Sequence, residues 1–138
     1  MLKVVLDTNM FVSAFIFHGM VKIVFDLILE NKLQMYNSPK LIKEVVKKFK
    51  AFGITRQEQI QLLTFIKEKG VVIEPKIKII VCRDPKDNFI LELAETAHAD
   101  YIITRDKDLL DLPNQVWKST KIVKPELFLP ILREMKLL

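Results

Sequence analysis

The chain has 138 residues, 50% hydrophobic and 28% charged, enough apolar material for one buried core, and this excludes a disordered chain. Three glycines and six prolines with no short repeat exclude collagen-like, linker and solenoid architectures. Twenty-two Lys and Arg against 17 Asp and Glu give a net charge of +5, which attracts polyanions, although a Lys-rich chain can carry such charge on solvated helix faces alone.

Lys3-Val4-Val5-Leu6 is a short apolar run of the kind buried on both faces of a parallel sheet, and it puts Asp7 at the strand's carboxyl end. The run stops too soon for a signal peptide. Phe11 to Phe25 is interrupted by Ser13, His18 and Lys22, short of the roughly 20 apolar residues of a membrane span, so the expectation is a cytoplasmic protein with no membrane partner. Ser38-Pro39 supplies a cap and a proline at the first helical position, and Leu41, Ile42, Val45, Val46 and Phe49 follow at helical spacing. Lys43, Lys47 and Lys50 take the opposite face, with Glu44 on the border of the apolar stripe. Thr55 and Glu58 form a capping box for a second helix running to Gly70, and Val71-Val72-Ile73 then reads as a strand.

Asp84-Pro85 repeats the cap-plus-proline signature before a helix over Phe89 to Ala97, and Tyr101 to Thr104 is another buried strand, followed closely by Asp106. Trp117, just before a strand at Lys121 to Val123, either packs on the core or stacks on a base. Pro125 opens a terminal helix in which Pro130 removes a hydrogen bond and is expected to force a kink. Strands separated by helices predict an α/β sandwich on a mainly parallel sheet, whose ligands bind beyond the carboxyl ends of the strands. The apolar stretches Phe11 to Phe25 and Phe128 to Leu138 exceed the needs of a small core, which predicts homodimerisation or another protein partner.

One cysteine and two histidines rule out an internal disulfide and the usual zinc sites. What remains is acidic: Asp7, Glu44, Asp84 with Asp87, and Asp106 with Asp108. Each has a structural explanation. Asp84 and Asp106 can be helix caps, Asp87 a dipole partner, and Glu44 the ion-pair partner of Lys48 one turn on. If the acids converge, however, each like-charged pair at about 4 Å costs roughly 4 kcal/mol at an effective dielectric near 20, and a cation removes that cost. Hard oxygen ligands point to Mg²⁺ or Mn²⁺.

Leu6-Asp7-Thr8-Asn9 after a first strand, Glu44 in the following capped helix, Asp87 before Ala94, and Thr104-Arg105-Asp106-Lys107-Asp108 after a strand together resemble a PIN domain. The resemblance spans nearly the whole chain and is strongest to VapC-like toxin components of prokaryotic toxin–antitoxin pairs. It implies a single domain over residues 1–138, a three-layer α/β/α fold and a Mg²⁺- or Mn²⁺-dependent ribonuclease with an antitoxin partner. Asp7, Glu44, Asp87 and Asp106 match the family's acidic quartet. Asp7 and Asp106 are the main metal ligands it implies, with Asp87 and Glu44 completing the ligand set or its surroundings, and Asn9 and Thr104 match orienting polar positions. Asp84 competes with Asp87, and Asp108 with Asp106; Asp87 and Asp106 rank first by spacing, and Asp108 remains an auxiliary ligand.

Arg83, Lys86, Arg105 and Lys107 flank the acidic motifs and are candidates for RNA backbone contacts, or solvated surface charges. His18 and His98 are not assigned catalytic roles. With no Ser, Cys or His arrangement for nucleophilic catalysis, the chemistry expected is direct hydrolysis of an RNA phosphodiester. A phosphatase with an Asp nucleophile fits poorly, since the second residue after Asp7 is Asn9 rather than Asp. The non-enzymatic alternative is a catalytically silent RNA-binding or interaction domain, whose expected sign is loss of quartet acids; none is lost.

Overall fold

The computed structural model describes all residues, Met1–Leu138. Six strands form one sheet in the order β3-β2-β1-β4-β6-β5, parallel throughout except for β5 against β6. The strands are β1 (Leu2–Leu6), β2 (Leu33–Asn37), β3 (Gly70–Val72), β4 (Tyr101–Ile103), β5 (Val116–Trp117) and β6 (Thr120–Val123). Val4, Val5 and Leu6 and the whole of β4 are buried, as continuous apolar runs require in a sheet covered on both faces. This is the α/β sandwich that the alternation of elements predicts.

Seven helices cover the sheet: α1 (Thr8–Val12), α2 (Met20–Leu29), α3 (Pro39–Ala51), α4 (Arg56–Lys69), α5 (Asn88–Ala97), α6 (Lys107–Leu110) and α7 (Pro125–Glu134). Their starts follow local chemistry. Ser38 Oγ accepts the Leu41 N–H (3.1 Å), and Thr55 with Glu58 completes a reciprocal capping box. α7 continues past the exposed Pro130 to Glu134. α1 leads into a π-helical turn, Ser13–Phe17, that ends on His18 in the left-handed region. There Phe15 meets Phe25, Phe49 and Phe65 edge-on, at centroid distances of 5.6, 5.9 and 6.1 Å, and so ties α2, α3 and α4 together.

A single core cluster of 37 buried residues takes in half of the hydrophobic residues of the two apolar stretches, including Phe11, Val24, Phe25, Phe128 and Leu132, and Phe15, Ile16, Ile23, Ile131 and Leu137 pack partly buried against it. Phe17, Leu29, Leu127 and Met135 stay exposed. No single helix is long and apolar enough to cross a membrane. Trp117 packs against the core and its Nε1–H donates to Glu95 (3.1 Å).

Candidate active site

β1 and β4 are neighbours at the point where the chain, having laid β2 and β3 to one side, crosses over to build the other half of the sheet. Open α/β sheets bind ligands just beyond the strand ends at such a switch point. The ladder extends one residue past each strand. Asp7 N–H donates to Ile103 O (3.3 Å) and Thr104 N–H to Val123 O (3.0 Å), so backbone bonds fix both residues.

Asp7 is only 7% exposed. Its Oδ1 caps α1 by accepting the N–H groups of Asn9 (3.0 Å) and Met10 (3.2 Å), and its Oδ2 accepts the Thr104 hydroxyl. Thr104 Oγ1 in turn accepts the Asp106 N–H (2.9 Å), and Asp106 Oδ1 caps α6 through the Asp108 N–H (2.9 Å). One hydroxyl thereby links the two strand-end acids. Burial lifts the Asp7 carboxyl to about 6; the Thr104 hydroxyl and the Met10 amide pull it down, and the Asp106 charge pushes it up.

The other acids arrive on helices. Leu41, Val45 and Phe49 bury the inner stripe of α3, and this leaves Glu44 and Lys48 half-buried along the cleft. They do not pair with each other. Lys48 Nζ donates to Asn9 Oδ1 (2.6 Å), so the i,i+4 ion pair read from the sequence is replaced by a contact across the cleft. A 3₁₀ turn, Pro85–Asp87, precedes α5; Asp84 caps it through the Lys86 N–H (3.0 Å). Asp87 stands at its end. Burial first, then Asp106, then Asp84 and Asp108, raise its carboxyl to about 7. Crowding of like charges in a desolvated place is what a bound cation would relieve.

Asp7, Asn9, Glu44, Lys48, Asp84, Lys86, Asp87, Phe89 and Asp106 line one cleft of about 230 Å³. Thr104 lies fully buried beneath it. The one group of three acids whose carboxylate oxygens all lie within 4.8 Å of one another is Asp84, Asp87 and Asp108, without Asp7 or Asp106. Asp108 is shared, since Arg83 Nε sits 2.9 Å from it while Arg83 Nη2 reaches Asp111 (2.8 Å). Of the basic candidates only Lys86 lines the cleft. Arg105 is bound to Glu126 through Nε (2.9 Å) and Nη2 (2.6 Å), and Lys107 is exposed on α6. His18 and His98 lie outside the cleft. Burial and the surrounding acids push the Cys82 thiol up to about 11, which keeps it protonated and unreactive.

Sequence reasoning did not assign Lys48 or Phe89 to the site. The signal for Lys48 was its i,i+4 spacing from Glu44, which puts both on one helix face. Phe89 directly follows Asp87 and Asn88, but nothing in its spacing separates a cleft wall from a core position. Chemically, the cleft offers oxygen donors alone, several of them desolvated and crowded. The Asp7 carboxylate has about four acceptor positions and uses three of them, so one is left toward the cleft. That donor set fits a hard divalent cation.

The model of the PIN domain family matches residues 3–108, a span that holds every acid of the cleft. The uncharacterized protein MJ1680 of Methanocaldococcus jannaschii is 36% identical over 120 residues, 83% of this chain and 77% of that protein. A chain of VapBC2 from Rickettsia felis, solved bound to a DNA fragment from the promoter, superposes with a TM-score of 0.63 at 17% identity over 89% of this chain and 98% of that one, a likeness of fold. With the family match running from the first strand through both strand-end acids, on a fold that closes them into one cleft, this chain belongs to the PIN domain family.

Proposed function

We propose that the protein is a metal-dependent endoribonuclease of the cytoplasm, built as one catalytic unit over residues 1–138, and the toxin of a toxin–antitoxin pair. The observation that carries the reading is the meeting of Asp7, Glu44, Asp87 and Asp106 in one cleft at the switch point of the sheet. Asp7, Asp87 and Asp106 would hold Mg²⁺ or Mn²⁺, with Glu44 and Asp84 beside them and Asp108 auxiliary. The ion would supply Lewis acidity and charge neutralisation for hydrolysis of a phosphodiester.

The chain's own groups do the remaining work. The Thr104 hydroxyl favours the ionised form of Asp7 and holds the Asp106 backbone, and this keeps two ligands in fixed register. Asn9 orients Lys48 across the cleft, where its ammonium can meet a phosphate oxygen. Lys86 at the rim, with Arg83, Arg105 and Lys107 further out, would hold the RNA backbone. Arg83 and Arg105 would do so by releasing Asp111 and Glu126. Support for the toxin role is the VapBC2 likeness, and the exposed Phe17 and Leu29 give an antitoxin or a second copy an apolar surface to cover.

Cleavage of labelled, partly single-stranded RNA in Mn²⁺ or Mg²⁺, with EDTA and Asp7→Asn as controls, tests the activity. Cutting that vanishes in both controls is the expected result. Binding without cutting under any condition would point instead to a silent RNA-binding domain. Light scattering on a size-exclusion column tests the homodimer, which a monomer of 16.1 kDa would exclude.

A further inference from the structure

The acidic cleft has one aromatic wall, Phe89, and the same ring also walls a second, smaller pocket that holds Lys40, Glu74, Pro75, Lys78 and Glu92. The topology sets the two side by side. Along the carboxyl edge the order is β3-β2-β1-β4, so the acids occupy the ends of β1 and β4, and the second pocket follows at the ends of β2 and β3. α3 starts at the end of β2 and reaches both, with Lys40 at the second pocket and Glu44 and Lys48 at the first.

Phe89 is held firmly. The buried Asn88 next to it accepts the N–H groups of Val81 (3.2 Å) and Cys82 (2.9 Å), and Glu92, one turn on, accepts that of Ile79 (3.0 Å). These bonds tie the segment bearing Glu74 and Lys78 to the first turns of α5. The ring itself is half-buried, and Lys40 Nζ lies 5.2 Å from its centroid, so one face looks toward an exposed ammonium rather than toward the core.

We infer that this second pocket receives the nucleobase adjacent to the cleaved phosphate, stacked on Phe89; the inference rests on the ribonuclease reading above. A base replaces an exposed cation–π contact with the stronger contact of two flat surfaces, and the displaced Lys40 is then free to meet a neighbouring phosphate. Pro75 adds apolar surface. Glu74, Lys78 and the acceptor positions of Glu92 that Ile79 does not use are the groups that can meet the base edge. A base can enter only when it is out of a duplex stack, so the substrate is RNA that is single-stranded at the cut.

The test places an abasic nucleotide, in turn, on either side of the cleaved phosphate of a single-stranded RNA and follows kcat/KM in Mn²⁺. Binding is read separately from the fluorescence of a 2-aminopurine base at the same positions, in Ca²⁺. At one position, loss of the base lowers kcat/KM of the wild-type protein about tenfold or more. Phe89→Leu lowers it by the same factor on intact RNA, through KM, and no further on abasic RNA, while Phe89→Trp retains it. Because the abasic substrate leaves the protein untouched, a folding defect in Phe89→Leu cannot mimic the result. Equal cleavage and binding of intact and abasic RNA would overturn the pocket and leave the nuclease standing. A wild-type protein that neither binds nor cuts single-stranded RNA would overturn both.

Discussion

Asp7 carries two opposed demands, since its site is built to hold a charge that its burial disfavours. Ionised at pH 8 with a pKa lifted from 3.8 to about 6, it costs the metal-free fold on the order of 3 kcal/mol. Asparagine caps a helix as well as aspartate does and keeps an oxygen for the Asn9 and Met10 amides. Asp7→Asn is therefore expected to lower cleavage about 100-fold or more while raising the urea stability of the metal-free protein at pH 8 by about 1–3 kcal/mol. A less stable variant would show that the ionised carboxylate is not strained. Thr104 gives the complementary case. Its hydroxyl lowers the Asp7 pKa and accepts from Asp106, so Thr104→Val pushes Asp7 further up, moves the acid limb of the pH–rate profile to higher pH and weakens divalent binding about tenfold. Thr104→Ser keeps both bonds and should keep the wild-type profile; identical profiles for Val and Ser would remove Thr104 from the account.

Elements were legible where one local signal sufficed. Ser38-Pro39, Thr55 with Glu58 and Asp84-Pro85 each mark a helical start, and the apolar runs at Val4 and Tyr101 mark the central strands together with the acids that follow them. β2 was not legible, because it alternates Leu33, Met35 and Asn37 inward and so puts a polar residue at a buried position. The contact of Lys48 with Asn9 was hidden, since it depends on how α3 packs against α1 rather than on any spacing within α3. Gly70 shows the same limit. As the cap of α4 it has an ordinary extended backbone (φ −104°, ψ 155°), so alanine is conformationally allowed there and would by itself stabilise by roughly 0.4–1 kcal/mol. Its Cβ, however, would lie 2.7 Å from Asn37 Nδ2 and 2.8 Å from the Ile66 carbonyl oxygen. Overpacking of this kind costs about 1–3 kcal/mol and outweighs the gain. Gly70→Ala should thus lower the midpoint of a urea melt, and adding Asn37→Ala, which removes a buried amide without a protein partner, should return part of the loss. A purely additive double variant would place the strain on the Ile66 carbonyl and the Met35 methyl instead.

At the scale of the whole molecule, a chain of net charge +5 gathers five of its 17 acids in one cleft, and the response of the fold to pH follows from that crowding. Asp7 and Asp87 have folded-state pKa values of about 6 and about 7 against 3.8 when unfolded, so the folded state favours their protonated forms. The stability this contributes is complete below about pH 4 and is lost as pH rises through 6 and 7, because there the native state binds more protons than the unfolded one. Glu126 runs the other way: burial opposes its ionisation, but the Arg105 hydrogen bond, its own backbone amide and the charges of Arg105 and Lys124 together outweigh it and hold the carboxyl below its usual range, at an exposed position where the effect is small. The metal-free protein is therefore expected to melt at a lower temperature at pH 8 than at pH 5.5. A divalent ion competes with those protons and replaces their compensation with its own charge, so it binds weakly at pH 5.5 and tightly at pH 8. At 100 times its Kd it adds about 2.7 kcal/mol. Thermal melts in millimolar Mn²⁺ and in EDTA should then nearly coincide at pH 5.5 and separate by several degrees at pH 8. A gap of the same size at both pH values would mean that the ion binds away from Asp7 and Asp87, and the assignment of these carboxylates as ligands would fall.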